Sequence, residues 1–189
     1  MNPISLPALT RVKTAPAKSD VVIVALTGNA ETPVAHVPAN VGKGYERKFG
    51  QSIEEMAATL GAKPKLGAVT VIPGLNKQRL VLVGLGSDEP SPKAVRKAAG
   101  AATRAVAGMK NVTSVTVALP ADEPELLRAV VEGVLLGEYT YAPVTAEPAE
   151  DSKLEFSVVS AVADKAVVEE ARTIAEAQLI AREWVNLPP

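Results

Sequence analysis

Cysteine is absent from all 189 residues, which rules out a disulfide framework, a thiolate metal site and a cysteine nucleophile. Aromatic residues are scarce at 3%, and histidine, the commonest general base and metal ligand, occurs once, at His36. No uncharged apolar run approaches the roughly 20 residues that cross a bilayer, and MNPISLPALT at the N-terminus has no basic leader followed by an apolar stretch. A soluble, cytosolic protein with no membrane partner is therefore expected. Charge of either sign is nearly cancelled, with a formal net charge of −1, so no broad positive surface draws nucleic acid.

Hydrophobic residues make up 47%, and with so few rings the core must be built from Val, Leu, Ile and Ala. Short β-branched runs bounded by Gly, Pro, Asn or Asp predict strands over 21–26, 68–72, 79–83, 112–119 and 154–159, with a weaker one within 4–12. VVIVAL and LVLV do not alternate, so both faces of those strands should be covered. PGLNKQ, residues 73–78, reads as a turn joining its flanking strands into an antiparallel hairpin.

Four stretches carry helical spacing. Ser52 and Glu55 form a capping box ahead of Ile53, Met56, Ala57 and Leu60, and Gly61 can close that helix. Ser91 and Pro92 open a second, with Val95, Ala98, Ala99, Ala102, Ala105 and Val106 on one side and Gly108 at its end. A third opens at Asp122 and carries Leu127, Val130, Val131, Val134 and Leu135; its Gly133 and Gly137 share a face that lets another backbone come close. A fourth runs from Asp164 to Val185, with Val167, Ala171, Ile174, Ala181 and Trp184 on one stripe, and Asn186 and Pro188 should end it. Residues 27–44 and 142–152 read as surface loops. These elements predict an α/β chain folded as a three-layer α/β/α sandwich around a mixed sheet.

Little here carries chemistry. His36 sits in the loop VAHVPAN with no carboxylate or second ligand beside it, and reads as a surface histidine. Glu54–Glu55 and Glu169–Glu170 read as solvated helix faces, and Asp88–Glu89 as charges that suit a helix N-terminus. In VLVGLGSDEPS, Gly84, Gly86 and Ser87 lie between a strand and a helix, where backbone amides can meet a phosphate, but neither the third glycine of a dinucleotide loop nor the GK[ST] of a P-loop follows. Lys93, Arg96, Lys97 and Arg104 gather on one helix face, with no aromatics interleaved for base stacking. No residue is assigned a catalytic, cofactor-binding or metal-binding role.

VLVGLG at 81–86, EGVLLGEYTY at 132–141 and the closing AREWVNLPP resemble, in order and spacing, the N-terminal domain of the leucyl aminopeptidases, the two-metal cytosol aminopeptidase family. Glu183 and Trp184 depart from it, standing where members more often have Asp and an aliphatic residue. The resemblance implies a macro-domain-like fold over 1–180 and, over 181–189, the start of a hinge to a catalytic domain. That domain would hold two divalent metals, Mn or Zn, and an NTDAEGR-type segment, which this sequence lacks. It also implies a parent enzyme that removes N-terminal residues, preferably leucine, from peptides as a cytosolic homo-hexamer. The expected partners are the catalytic domain and neighbouring subunits, and the chain alone is expected to be inert. Two alternatives remain open at this point: a freestanding macro-like module for a nucleotide or ADP-ribose at Gly84–Ser87, and a DNA-binding domain using the Lys93–Arg104 face.

Overall fold

A computed structural model describes residues 6–16, 18–38, 41–44, 47, 50–73, 78–86, 89–139 and 153–186. The described chain runs β1 (Ala8–Val12), β2 (Val21–Gly28), β3 (Pro33–His36), α1 (Ile53–Thr59), β4 (Val69–Pro73), β5 (Arg79–Gly84), α2 (Pro92–Ala107), β6 (Ser114–Ala118), α3 (Pro124–Glu138), β7 (Glu155–Val159) and α4 (Lys165–Asn186).

The strands form one seven-stranded sheet in the order β1-β7-β6-β2-β5-β4, with β3 paired to β2 off that path. β1, β7, β6, β2 and β5 are mutually parallel, while β4 pairs antiparallel with β5, so the expected hairpin is present. β2 is buried along its whole length up to Gly28 and β5 from Leu80 onward, as their unbroken apolar runs require. Strand periodicity then splits the core in two. Val21, Ile23, Val81, Val83, Val115, Val117, Phe156 and Val158 face α2, α3 and α4. Val22, Val24, Leu26, Leu80 and Leu82 face α1, the helical residues 41–44 and the loop at Ala62. The result is an α/β/α sandwich with one heavy and one light helical layer.

Local signals account for the helix ends. In α1 the Ser52 hydroxyl accepts from the Glu55 amide at 3.1 Å and the Glu55 carboxylate accepts from the Ser52 amide at 2.9 Å. Gly61 then takes φ +65°, and the Ala62 amide reaches back to the Ala57 carbonyl at 2.9 Å to close the helix. Asp122, expected to open the third helix, does not cap it: α3 starts at Pro124, and the Asp122 carboxylate accepts from the Ala161 amide at 3.3 Å.

Residues 27–44 are not one loop. Gly28, at φ +80°, and Asn29, whose side-chain oxygen accepts from the Glu31 and Thr32 amides at 2.9 and 2.8 Å, turn the chain back as β3. β6 pairs with β2 only through Val24, and β3 takes up the vacant edge from Ala25 to Gly28. PVAH is too short to announce a strand; that free edge makes it one. Expectations for residues 74–77, 87–88, 140–152 and 187–189 lie outside the described residues.

The α2–α3 crossing is built on glycine. A Cβ at Gly133 would lie 2.5 Å from the Arg96 carbonyl oxygen, and one at Gly137 would lie 2.7 Å from Gly100 Cα. The element expected to pack on these two glycines is α2. On α4 the buried line is Ala171, Ala175 and Leu179, whereas Ala181 and Trp184 are exposed and off it. The spacing of these apolar residues fits a helical stripe, but among the described residues of α4 Leu179 is the last buried one.

Candidate functional site

Gly84–Gly86 is the place where the sequence came closest to a ligand loop, and the structure assigns its amides elsewhere. Gly84 N donates to the Ala68 carbonyl at 2.9 Å, Leu85 N to Leu26 at 3.0 Å and Gly86 N to Pro64 at 2.8 Å. A Cβ on Gly84 would fall 2.2 Å from the Lys65 carbonyl oxygen, and Gly86 sits at φ +77° against Leu66. These glycines exist so that residues 64–68 can cross the end of β5. At the start of α2, Pro92 has no amide proton and the Ser91 hydroxyl takes the Ala94 amide at 3.2 Å. A phosphate would find these donors already engaged.

The basic face of α2 is also partly consumed. Arg96 Nε donates to Glu132 Oε2 at 2.6 Å, Arg128 Nε donates to Glu132 Oε1 at 2.9 Å, and Arg128 pairs with Glu170 at 2.9 Å. Glu132 is only 3% exposed, a burial that a carboxylate tolerates when both oxygens are bonded to guanidinium groups. The bond to Glu132 in turn raises the already high pKa of Arg128. This chain of charges ties α2, α3 and α4 together and leaves Lys93, Lys97 and Arg104 as the exposed cations of the face. Glu170 therefore belongs to an ion pair, not simply to a solvated face. In the sequence Glu132 has no signal of its own, because its spacing marks it only as one polar position in an apolar helix.

His36 is exposed, and its Nε2 shares a hydrogen bond of 2.9 Å with the Thr27 hydroxyl. Glu54 accepts from the Ala35 amide at 3.4 Å and Glu55 serves the α1 cap. Among the described residues no three His, Asp or Glu side chains converge on a point that could hold a metal. Asp20 is the most perturbed acid described. Its Oδ2 accepts from the backbone amides and hydroxyls of Thr113 and Ser114, and those amides above all lower its pKa to about 2. It clips the start of β2 to that of β6, a structural task.

Among the described residues, the end of α4 presents apolar side chains to its surroundings. Past Leu179, α4 turns outward to solvent: Arg182 is exposed, Trp184 is 62% exposed and Val185 is 84% exposed. Elsewhere the exposed large apolar residues, Val34, Leu60 and Val71, stand apart from one another in sequence. Beside this end stands Tyr139, at the close of α3. Its hydroxyl donates to Glu183 Oε1 at 2.5 Å, and the Arg182 guanidinium lies 6.0 Å from its ring centre. Two neighbouring apolar side chains on the terminal turn of a tethered helix form a candidate contact surface.

Comparison with known proteins bears on what that surface meets. Residues 21–145 match the model of the cytosol aminopeptidase family, N-terminal domain. A probable cytosol aminopeptidase of Cutibacterium acnes is 34% identical over 174 residues, covering 90% of this chain and 34% of that protein. One of Streptomyces coelicolor is 32% identical over 201 residues, covering 91% of this chain and 38% of that protein. The chain thus spans little more than a third of the length of these relatives. Among solved structures, a tomato leucine aminopeptidase mutant aligns with a TM-score of 0.74 at 20% identity over 99% of this chain and 40% of that one, a likeness of fold. The bottromycin maturation enzyme BotP aligns with a TM-score of 0.58 at 26% identity, covering 90% of this chain and 33% of its own.

Proposed function

This chain belongs to the cytosol aminopeptidase family, matching its N-terminal domain, and from that membership we propose that it is the non-catalytic accessory domain of a leucyl aminopeptidase. In this reading residues 1–180 are the domain body and 181–189 begin the hinge to a catalytic domain. The parent enzyme, cytosolic and hexameric, removes N-terminal residues, preferably leucine, from peptides. Its two divalent metals, Mn or Zn, would polarise the scissile carbonyl and supply the hydroxide. In this reading their ligands would lie in the catalytic domain, and this chain contributes assembly contacts and shapes access to the active sites.

The observation that carries the proposal is the exposed Trp184–Val185 pair at the end of α4, in a chain that matches the N-terminal-domain model. Covering a tryptophan removes about 150–250 Å² from water, worth several kcal/mol at roughly 25 cal/mol per Å². A catalytic domain packed on the hinge supplies that cover. Neither alternative gains an observation among the described residues: the amides of Gly84, Leu85 and Gly86 are bonded internally and Arg96 is held by Glu132.

The test is hydrolysis of a chromogenic leucine amide by the 189-residue chain with manganese present. No release above a protein-free control is expected. Release that co-elutes with the chain and survives removal of contaminating peptidases would overturn the accessory reading.

A further inference from the structure

The last turns of α4 have lost the support that holds the rest of the helix. Ala171, Ala175 and Leu179 are packed into the core at 0%, 0% and 2% exposure, but among the described residues nothing apolar beyond Leu179 is buried. A helix end without tertiary packing frays, because its final carbonyls lack partners and propensity alone is weak. Yet helical geometry continues through Asn186. Something other than core packing must hold it.

The structure places Tyr139 there. α3 ends at Glu138, and Tyr139 leaves the helical conformation at φ −58° and ψ 125°. Its hydroxyl donates to Glu183 Oε1 at 2.5 Å, with 44 residues between them in sequence, and Arg182 stands over the same ring. Glu183 is half-buried while its neighbours Arg182 and Trp184 are exposed. A phenol donating to a carboxylate is a charge-assisted bond, stronger than one between neutral groups.

We propose that the Tyr139–Glu183 bond is a latch that holds the terminal turn of α4 helical and fixes the direction in which Trp184 and Val185 are presented. The latch rests on the reading of that surface as the junction with a following domain, and it gives the junction a preformed geometry. Docking onto an ordered turn avoids the entropy cost of ordering a frayed one. Tyr139 is thus a positioning residue for the interface, acting through Glu183, and the departure at position 183 supplies a carboxylate on a longer side chain than Asp.

The test uses the 189-residue chain and its single tryptophan, Trp184, as a local reporter. In Tyr139→Phe, amides of residues 181–186 should exchange about tenfold faster, as expected when one bond to a carboxylate is lost, and Trp184 anisotropy should fall. Protection in α2 and the central strands should not change. Glu183→Ala should have the same effect, and the double variant should be no worse than either single one, since one bond is lost in each case. Should Tyr139→Phe fold poorly, Glu183→Ala alone decides, because it alters only the α4 side of the bond. Unchanged exchange at 181–186, additive effects, or loss of protection spread evenly over the chain would overturn the latch. None of these readouts involves peptidase activity, so the latch and the accessory reading fail by different results.

Discussion

Replacing Gly133 by alanine tests the account of how the heavy helical layer is assembled, because local and tertiary effects there have opposite signs. Local propensity favours the change by about 1 kcal/mol, since glycine is a poor residue inside a helix. Tertiary packing opposes it: the new methyl would lie 2.5 Å from the Arg96 carbonyl oxygen and 2.7 Å from Ala99 Cβ. A backbone oxygen cannot turn aside as a side chain can, so α2 must shift as a body. Overpacking of this kind costs about 1–3 kcal/mol. The shift also pulls Arg96 away from Glu132, now at 2.6 Å. A buried acceptor left short of a partner costs about another 1–3 kcal/mol.

The net expectation is a destabilisation of about 2 kcal/mol, which for a chain of this length lowers the melting temperature by roughly 4–8 °C. Far-UV circular dichroism is the suitable probe, because Trp184 is too exposed to report on the core. Gly108→Ala is the control: that residue ends α2 at φ −78°, and its added methyl would come no closer than 3.8 Å to any neighbour. It should change stability by no more than about 0.5 kcal/mol. A Gly133→Ala chain that melts at or above the parent temperature would refute the close-crossing argument.

Two further outcomes follow from the charges. The pKa of Asp20 is lowered from 3.8 to about 2 in the folded chain, so its contribution is complete above the unfolded value and disappears as pH falls from about 4 towards 2. Allowing for solvent screening, that contribution is about 1–2 kcal/mol. Asp20→Asn should lower stability at neutral pH and flatten the acid limb in urea titrations, and an unchanged acid limb would show that the Thr113–Ser114 cradle is energetically idle. Glu132→Ala removes the shared acceptor of Arg96 and Arg128, both of which can turn to water because they are partly exposed. Chemical denaturation should show a loss of about 1–3 kcal/mol. An increase in stability would mean that the buried carboxylate serves helix register and not stability.

Much of this architecture could be read from local pattern. The runs at 21–26 and 79–83 became the buried centre of the sheet, and the Ser52–Glu55 box and Gly61 bound α1 as their chemistry requires. The Ala-rich face of α2, the hairpin around residue 73 and the close approach at Gly133 and Gly137 were also legible. In each case the determining groups lie within a few residues of one another, where spacing and backbone preference act directly. Gly28–Asn29 offered the same kind of turn signal for β3, but four residues beginning with proline were too short to weigh against it.

Tertiary structure decided the rest. The glycines at the end of β5 fit either a phosphate loop or a crossing chain until Pro64 and Ala68 supply the acceptors for their amides. Arg96 is one cation among several until α3 brings Glu132 to within 2.6 Å. Trp184 fits the apolar spacing of α4 but lies beyond the helix's buried line and is 62% exposed. Composition and periodicity decide which residues can be buried or can form helix and strand. Which carbonyl meets a given amide, and which side chain is left facing water, depends on segments far apart in the chain whose meeting has no local signature.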